Sequence, residues 1–395
     1  MSLNFDIPFA GRAHDYLEAE TDAVVEVMRN AKSLTQGEYL KRFQEKVRCY
    51  LGVDHVFAVS NATNALEMAA QLCCFNQGDE VIVPAHTFTS SAYPFLKAGA
   101  RVVWADIDLK TRVVNVEAIE SCLTSKTRAI VVPHLYGYGV DMPPILELAE
   151  RHGILIIEDA AQVFGVEVGG KKVGTFGHFA AFSFHAHKNI STIGEGGILV
   201  VREKRHAELA SKLRHNGHCD FDFPREDYWI PAMGNVDLPQ LDGQALLPSN
   251  YCLNEAACAV GELLIDRVDH INSQKRQRAL QIIDSLTEYS ELEFHRVDST
   301  RHNYHLLVAR MKHGRRDQFI RKMATEHRIQ CVVQYCPLYR YPFYQKLGLG
   351  DASCPNTDKL FDSMVSFPFQ QSLTSEDLDK ILLASKQVLR ELAHE

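Results

Sequence analysis

Short, uniformly apolar runs return at regular intervals in the first half of the chain, and they limit its fold more than any other feature. Val56–Ser60, Val81–Pro84, Arg101–Ala105, Ala129–Val132 and Ile154–Ile157 each have the length and apolar character of a strand. Helical spacing separates them. Ala62, Ala65, Leu66, Ala69, Leu72 and Cys73 share one helix face, Ala92–Ala98 reads as helix, and so does Pro143–Arg151, with Gly153 as its stop. Strands this apolar are buried on both faces. The expected fold is α/β, a mostly parallel central sheet between helices. In such sheets ligands gather at the carboxyl ends of the strands.

The flanking regions read differently. Residues 11–50 are helical and amphipathic, with a break near Thr35-Gln36-Gly37. Asn216–Pro248, rich in Gly, Pro, Asp and aromatics, reads as a long loop. Glu255–His270 is expected as one helix, Asn303–Met311 as strand, Asp317–His327 as helix, Gln330–Val333 as strand, and Ser375–His394 as an amphipathic terminal helix. The pattern changes near 255–275. The expectation is a large domain over 1–255, with its N-terminal helical segment, and a small C-terminal α/β domain over 256–395.

With 46% apolar and 23% charged residues, the 395-residue chain can bury a sizeable core. A net charge of -8 and no basic run disfavour nucleic acid as partner. None of the ten cysteines forms CxxC, and no His/Cys spacing matches a zinc site, which points to reduced thiols. No signal peptide and no 18-residue apolar span are evident. The expected location is cytoplasmic.

Chemistry concentrates in Ser183-Phe184-His185-Ala186-His187-Lys188-Asn189, which runs into Gly194-Glu195-Gly196-Gly197. A lysine leaving an apolar run, with a hydroxyl five residues before it and glycines after it, suits a Schiff base to an aldehyde cofactor. Pyridoxal phosphate also needs a carboxylate against its ring nitrogen. Glu158-Asp159 closes the strand 154–157 some thirty residues earlier, and Asp159 is either that partner or an ordinary loop or cap residue. Ser60-Asn61-Ala62-Thr63-Asn64-Ala65 opens the first apolar helix, as a phosphate site or a plain N-cap. Phe88 lies at the level of the next strand end, as a ring-stacking residue or a core phenylalanine. Neither GxGxxG nor GxxxxGK[ST] occurs, because Leu199 and Met142 stand where a third glycine would be needed. His185-Ala186-His187 lacks a third metal ligand at a recognisable spacing, so no metal is expected.

Four blocks together resemble the DegT/DnrJ/StrS sugar aminotransferases: Ser60–Leu66, Gly78–Pro84, Glu158–Gln162, and Ser183–Asn189 ending in Gly194–Gly197. The resemblance spans essentially the whole chain. It implies a fold-type I pyridoxal phosphate transferase, a homodimer with its sites at the subunit interface. It implies an aminotransferase that converts a keto sugar, nucleotide-linked, to an amino sugar with L-glutamate as donor, in amino sugar and polysaccharide biosynthesis. Carried over, Lys188 is the catalytic Schiff-base lysine, Asp159 the partner of the ring nitrogen, and Gln162 the neighbour of the ring or its hydroxyl. Phe88 stacks, Ala62, Thr63 and Ser183 hold the phosphate, and Asn250 reaches the phosphate of the other subunit.

Departures fall where sugar or nucleotide would be touched. Cys252-Leu253 stands for the family's Arg-Met, and Gln334-Tyr335-Cys336-Pro337-Leu338-Tyr339 for a His-Tyr-x-Pro-Leu-His pattern. Arg214 is a candidate for the donor carboxylate. Two other readings remain. A sugar dehydratase of this type carries histidine at the lysine position, whereas the register here places Lys188 there and His187 beside it. A cofactor-bound regulator would need an added effector or DNA-binding segment, and none is recognisable.

Overall fold

The computed structural model describes residues 4–9, 14–220 and 234–394. Two helices, α1 (Glu18–Asn30) and α2 (Glu38–Leu51), lead into a seven-stranded sheet. Its strands are β1 (His55–Val59), β2 (Glu80–Pro84), β3 (Arg101–Ala105), β4 (Thr127–Pro133), β5 (Leu155–Asp159), β6 (Phe179–Ser183) and β7 (Gly197–Val201). Across the sheet the order is β1-β7-β6-β5-β4-β2-β3. The strands from β6 through β3 are parallel neighbours, while β7 runs antiparallel to both β6 and β1. β1 therefore points the same way as β6, and the carboxyl ends of β1, β2, β5 and β6 share one edge of the sheet.

The strands lack polar alternation because both faces are covered. In β4, Ile130 and Val132 enter one apolar core while Ala129 and Val131 enter the other. Helix α3 (Ala62–Leu72) is capped by Asn61, whose side chain accepts the Asn64 N–H. Its apolar stripe Ala65, Leu66, Ala69 and Leu72 lies in the second core, with Cys73 packed against it. The helix Met142–His152 stops at Gly153, which adopts the left-handed conformation with φ 63°.

A third core combines residues from Ala279 to Leu392 with Ile7. It backs a three-stranded antiparallel sheet, β8 (Leu292–Phe294), β9 (Leu307–Met311) and β10 (Met364–Phe367). The terminal helix Ser375–His394 covers it with Ile381, Val388, Leu389 and Leu392.

Three expected elements change. The helix expected over 255–270 is two helices, Glu255–Ile265 and Val268–Leu286. Asp266 and Arg267 donate to carbonyls three residues back, which tightens and ends the first helix, and Arg267 turns to pair with the buried Glu20. The strand expected from Asn303 begins at Leu307. Asn303 Oδ1 accepts the His305 N–H, a local turn that displaces the ladder, and Tyr304 takes φ 47°. Gln330–Val333 forms no strand. Only single bridges occur, Ile7 to Ile329 and Val332 to Ser366, before the chain turns toward the cavity at Gln334. Part of the long loop expected over 216–248, residues 221–233, lies outside the described residues.

Candidate active site

The carboxyl edge of the sheet opens onto a cavity of about 460 Å³. Strand ends supply its wall: Asn61, Ala62 and Thr63 after β1, Thr87, Phe88 and Ser90 after β2, Asp159 and Gln162 at and after β5, Ser183 and Lys188 after β6. From later in the chain come Lys275, His305, Gln334, Tyr335 and Phe369. Seven of the eight expected site residues thus line one space. Asn250 does not. It is exposed, bridged to His215, and outside this chain's own cavity.

The Lys188 amine is packed round by protein, and desolvation lowers its pKa to about 8, against an opposing pull from the charge of Asp159. Asp159 is buried at the end of β5. Its carboxylate accepts the Ser91 hydroxyl at 2.5 Å and the Ala161 N–H at 3.2 Å. Next to it, Glu158 is wholly buried. Its oxygens accept the N–H groups of Gly174, Phe176 and Gly177, together with His134 Nε2 at 3.2 Å. This carboxylate clamps the turn before β6 to β5 and so sets the level of Asp159 against Ser183.

The opening of α3 carries an N-cap and also borders the cavity. Asn61 caps the helix, and the first-turn amides of Ala62 and Thr63, which have no intrahelical acceptor, belong to residues on the cavity wall. Thr63 Oγ1 and Ser90 Oγ stand 2.9 Å apart, so two hydroxyls meet there. Gly197 backs this turn so closely that a Cβ would lie 2.4 Å from the Asn61 carbonyl carbon. Phe88 is 50% exposed, which rules out a core role, and faces Tyr335 edge-on at 6.0 Å. Gln162 is held at both ends of its amide: Oε1 accepts the Tyr136 N–H at 2.6 Å, and Nε2 donates to Tyr335 Oη at 3.1 Å.

Arg214 does not reach the cavity. Its guanidinium donates to Gln44, Gln36 and the Ala58 carbonyl. His185 and His187 both line the cavity, and His185 lies 3.7 Å from Glu195. No cluster of metal-ligating side chains occurs among the described residues.

Sequence reasoning missed Ser91, His305 and Lys275, and noted Tyr335 only as part of a departure from the family pattern. Ser91 lies three residues after Phe88, just past the stretch singled out there. His305 and Lys275 carry no local signal, because they come from segments far along the chain from the strand ends.

These residues fit pyridoxal phosphate: a desolvated amine near neutrality, a buried carboxylate beside it, free amides and hydroxyls at a helix start, and an exposed aromatic face. Fold and cavity define an α/β protein with a lysine-centred site at the carboxyl edge of its sheet. The chain matches the DegT/DnrJ/EryC1/StrS aminotransferase family over residues 15–385 and belongs to it. It is 32% identical over 398 aligned positions to GDP-perosamine synthase of Caulobacter vibrioides, covering 97% of this chain and 99% of that protein. It is 28% identical to the dTDP-3-amino-3,4,6-trideoxy-alpha-D-glucose transaminase of Micromonospora megalomicea, covering 93% and 94%. S. venezuelae DesV, solved in complex with a ketimine intermediate, superimposes with a TM-score of 0.83 at 26% identity, covering 98% of this chain and 99% of that one.

Proposed function

We propose that the protein is a pyridoxal phosphate-dependent transaminase that moves an amino group from an amino acid, L-glutamate, to the carbonyl carbon of a nucleotide-linked keto sugar. The products are a 2-oxo acid and an amino sugar. The carrying observation is that Lys188, Asp159, Ser183 and the opening residues of α3 line one cavity at the carboxyl edge of the sheet. The names of the relatives from Caulobacter and Micromonospora support the sugar nucleotide.

Pyridoxal phosphate, when bound, supplies an electron sink for the carbon from which a proton leaves. Lys188 anchors its aldehyde and, once released, carries the proton. An amine with a pKa of about 8 has a substantial neutral fraction near neutrality and so can act as base. Asp159 holds the ring nitrogen protonated, and Ser91 holds Asp159 in place. Gln162 flanks the ring from a fixed rotamer, and Phe88 covers one ring face. Ala62, Thr63 and Ser183 hold the phosphate. Asn250, exposed on its own chain, serves the phosphate of a second copy in a homodimer. All ten cysteines are free, which favours a reducing, cytoplasmic setting. No helix among the described residues is long and apolar enough to cross a membrane.

The proposal includes a cofactor-binding unit over 1–255 and a smaller unit over 256–395. Residues of the helix 255–265 and the start of the helix 268–286 pack into the first core, while Ala279 and Ile282 enter the third. The helix Val268–Leu286 thus contributes to both cores. The functional test is 2-oxoglutarate formation from L-glutamate with GDP- and dTDP-linked keto sugars. Loss of sugar hydroxyl without donor consumption would instead identify a dehydratase, and no turnover of either kind would overturn the enzyme reading.

A further inference from the structure

We propose that Lys275 is the cation that receives a carboxylate of the amino-acid donor, an assignment that rests on the transaminase reading of the cavity. A donor amino acid brings at least one carboxylate into a space walled largely by protein. A desolvated carboxylate needs a cation or several donors. Among the described residues, only two that line the cavity are lysine or arginine, Lys188 and Lys275, and Lys188 is committed to the chemistry. The neighbouring arginines are occupied. Arg214 is bonded to Gln36, Gln44 and Ala58, Arg112 to the carbonyls of Val308 and Glu293, Arg276 to that of His302, and Arg278 to those of Gln371 and Leu373.

Lys275 is 5% exposed, on the helix Val268–Leu286 that joins the two bodies. Its Nζ donates to Asn189 Oδ1 at 2.9 Å and to the His305 carbonyl at 3.0 Å. Both acceptors are neutral. An ammonium has three N–H donors, and beyond these two bonds it meets only the Phe369 ring, 5.3 Å from Nζ to the centroid, which leaves one N–H without a hydrogen-bond acceptor. No carboxylate among the described residues pairs with it, although a buried charge without a counter-ion is costly. Desolvation accordingly lowers its pKa to about 7, and a ligand carboxylate would restore its charge. Lys275 and Lys188 line the same cavity, and the charges of both act on His305, so a donor bound there would lie within reach of both amines. His305 completes this corner. Its buried Nδ1 has no partner, and its pKa is lowered by burial and then by the charges of Lys188 and Lys275.

The test uses the holoenzyme and glutarate, a dicarboxylate without an amine, titrated calorimetrically into wild type, Lys275→Met and Lys275→Arg. Wild type is expected to bind glutarate. Lys275→Met is expected to weaken binding at least tenfold, with cofactor absorbance unchanged, and Lys275→Arg to recover most of the loss. The KM for L-glutamate should rise in Lys275→Met while the KM for the keto sugar stays. A wild type that does not bind glutarate, or a Lys275→Met that binds it equally well, overturns the assignment. Should Lys275→Met fail to fold, amine labelling of the wild type decides. Glutarate must slow modification of Lys275 but not of the exposed Lys204, and an unchanged rate at Lys275 refutes the role. Absence of any 2-oxo acid from wild type with donor and sugar would instead sink the transaminase reading itself.

Discussion

Replacing Gly197 with alanine tests whether the start of α3 is a cradle set by backbone contact. Gly197 does not adopt a positive φ and pairs in register with Ser183 on one side and Val59 on the other, so alanine suits its backbone. Only space opposes it. An added Cβ would lie 2.4 Å from the Asn61 carbonyl carbon, 2.7 Å from the Ala62 nitrogen and 2.8 Å from the Asn61 oxygen. Ordinary contact begins near 3.4 Å, so something must yield by roughly 1 Å. β7 is held by strands on both sides, which leaves the Asn61–Ala62 link as the part that moves. The overlap should cost about 1–3 kcal/mol of stability. A shift of roughly 1 Å would also carry the Ala62 and Thr63 amides out of hydrogen-bond range of a bound phosphate. Each charge-assisted bond lost is worth about 1.5–3 kcal/mol, at least tenfold in a dissociation constant. Equilibrium dialysis against pyridoxal phosphate, read by absorbance, measures this, with thermal melting alongside. Gly194→Ala is the control. Its φ of 100° strains an alanine, but nothing lies within 4 Å, so stability should fall while cofactor affinity holds. A Gly197→Ala protein with wild-type affinity and melting temperature would refute the cradle.

Lys188→Ala should remove the absorbance band of the anchored cofactor and lower turnover by at least ~10²–10⁴-fold, measured as 2-oxo acid release. Asn250→Ala should weaken cofactor retention by dialysis about tenfold, the loss of one bond to a charged group, if a second copy's phosphate is its target. Glu158→Gln sets an NH2 group against at least one donor that the carboxylate now accepts, and His134 Nε2 cannot become an acceptor, since its Nδ1 already accepts the Val140 N–H. The expected loss is about 2–4 kcal/mol in denaturant titration, and an unchanged midpoint would deny the clamp. In the cofactor-free protein, Lys188 and Lys275 titrate near 8 and 7 when folded, against 10.5 as ordinary lysines. Below pH 7 both are charged in either state, and the full cost of burial is present. Between those values and about 10.5 the unfolded chain binds more protons, so stability rises with pH by up to about 1.4 kcal/mol per unit for each lysine. Melting of wild type minus Lys188→Met/Lys275→Met, from pH 8 to 10, isolates that slope.

The sheet was legible because burial on both faces leaves one pattern, the unbroken apolar run. β2, β3 and β4 fall where those runs predict them. Direction was not legible. The run in β7, Ile198-Leu199-Val200-Val201, resembles that of β4 in composition, yet β7 is antiparallel to both neighbours. The connection from β6, residues 184–196, forms no helix that could cross the sheet, and the chain returns beside β6 in the opposite direction. The break at Asp266-Arg267 left no glycine or proline as a mark. It follows from turn hydrogen bonds and from Glu20, more than two hundred residues upstream. The strand at 303–306 was lost to a side chain's bond with its own backbone, which competes with any ladder and escapes a reading based on apolar periodicity.

The site divides along the same line. Asp159, Ser183 and Lys188 could be read because strand ends bring unusual residue types to known positions. Lys275 could not, because nothing distinguishes it locally from a surface lysine on an amphipathic helix. Its helix passes from the first core, through Val268 and Ile271, to the third, through Ala279 and Ile282. The residue midway along that passage meets the cavity whatever its type, and an amine there is costly unless something answers its charge. Asp159 answers Lys188 from within the chain, whereas no carboxylate among the described residues answers Lys275. Two desolvated amines of one chemistry are thereby separated in role: the first has its counter-charge built in, and the second is left for an anion that arrives with the substrate.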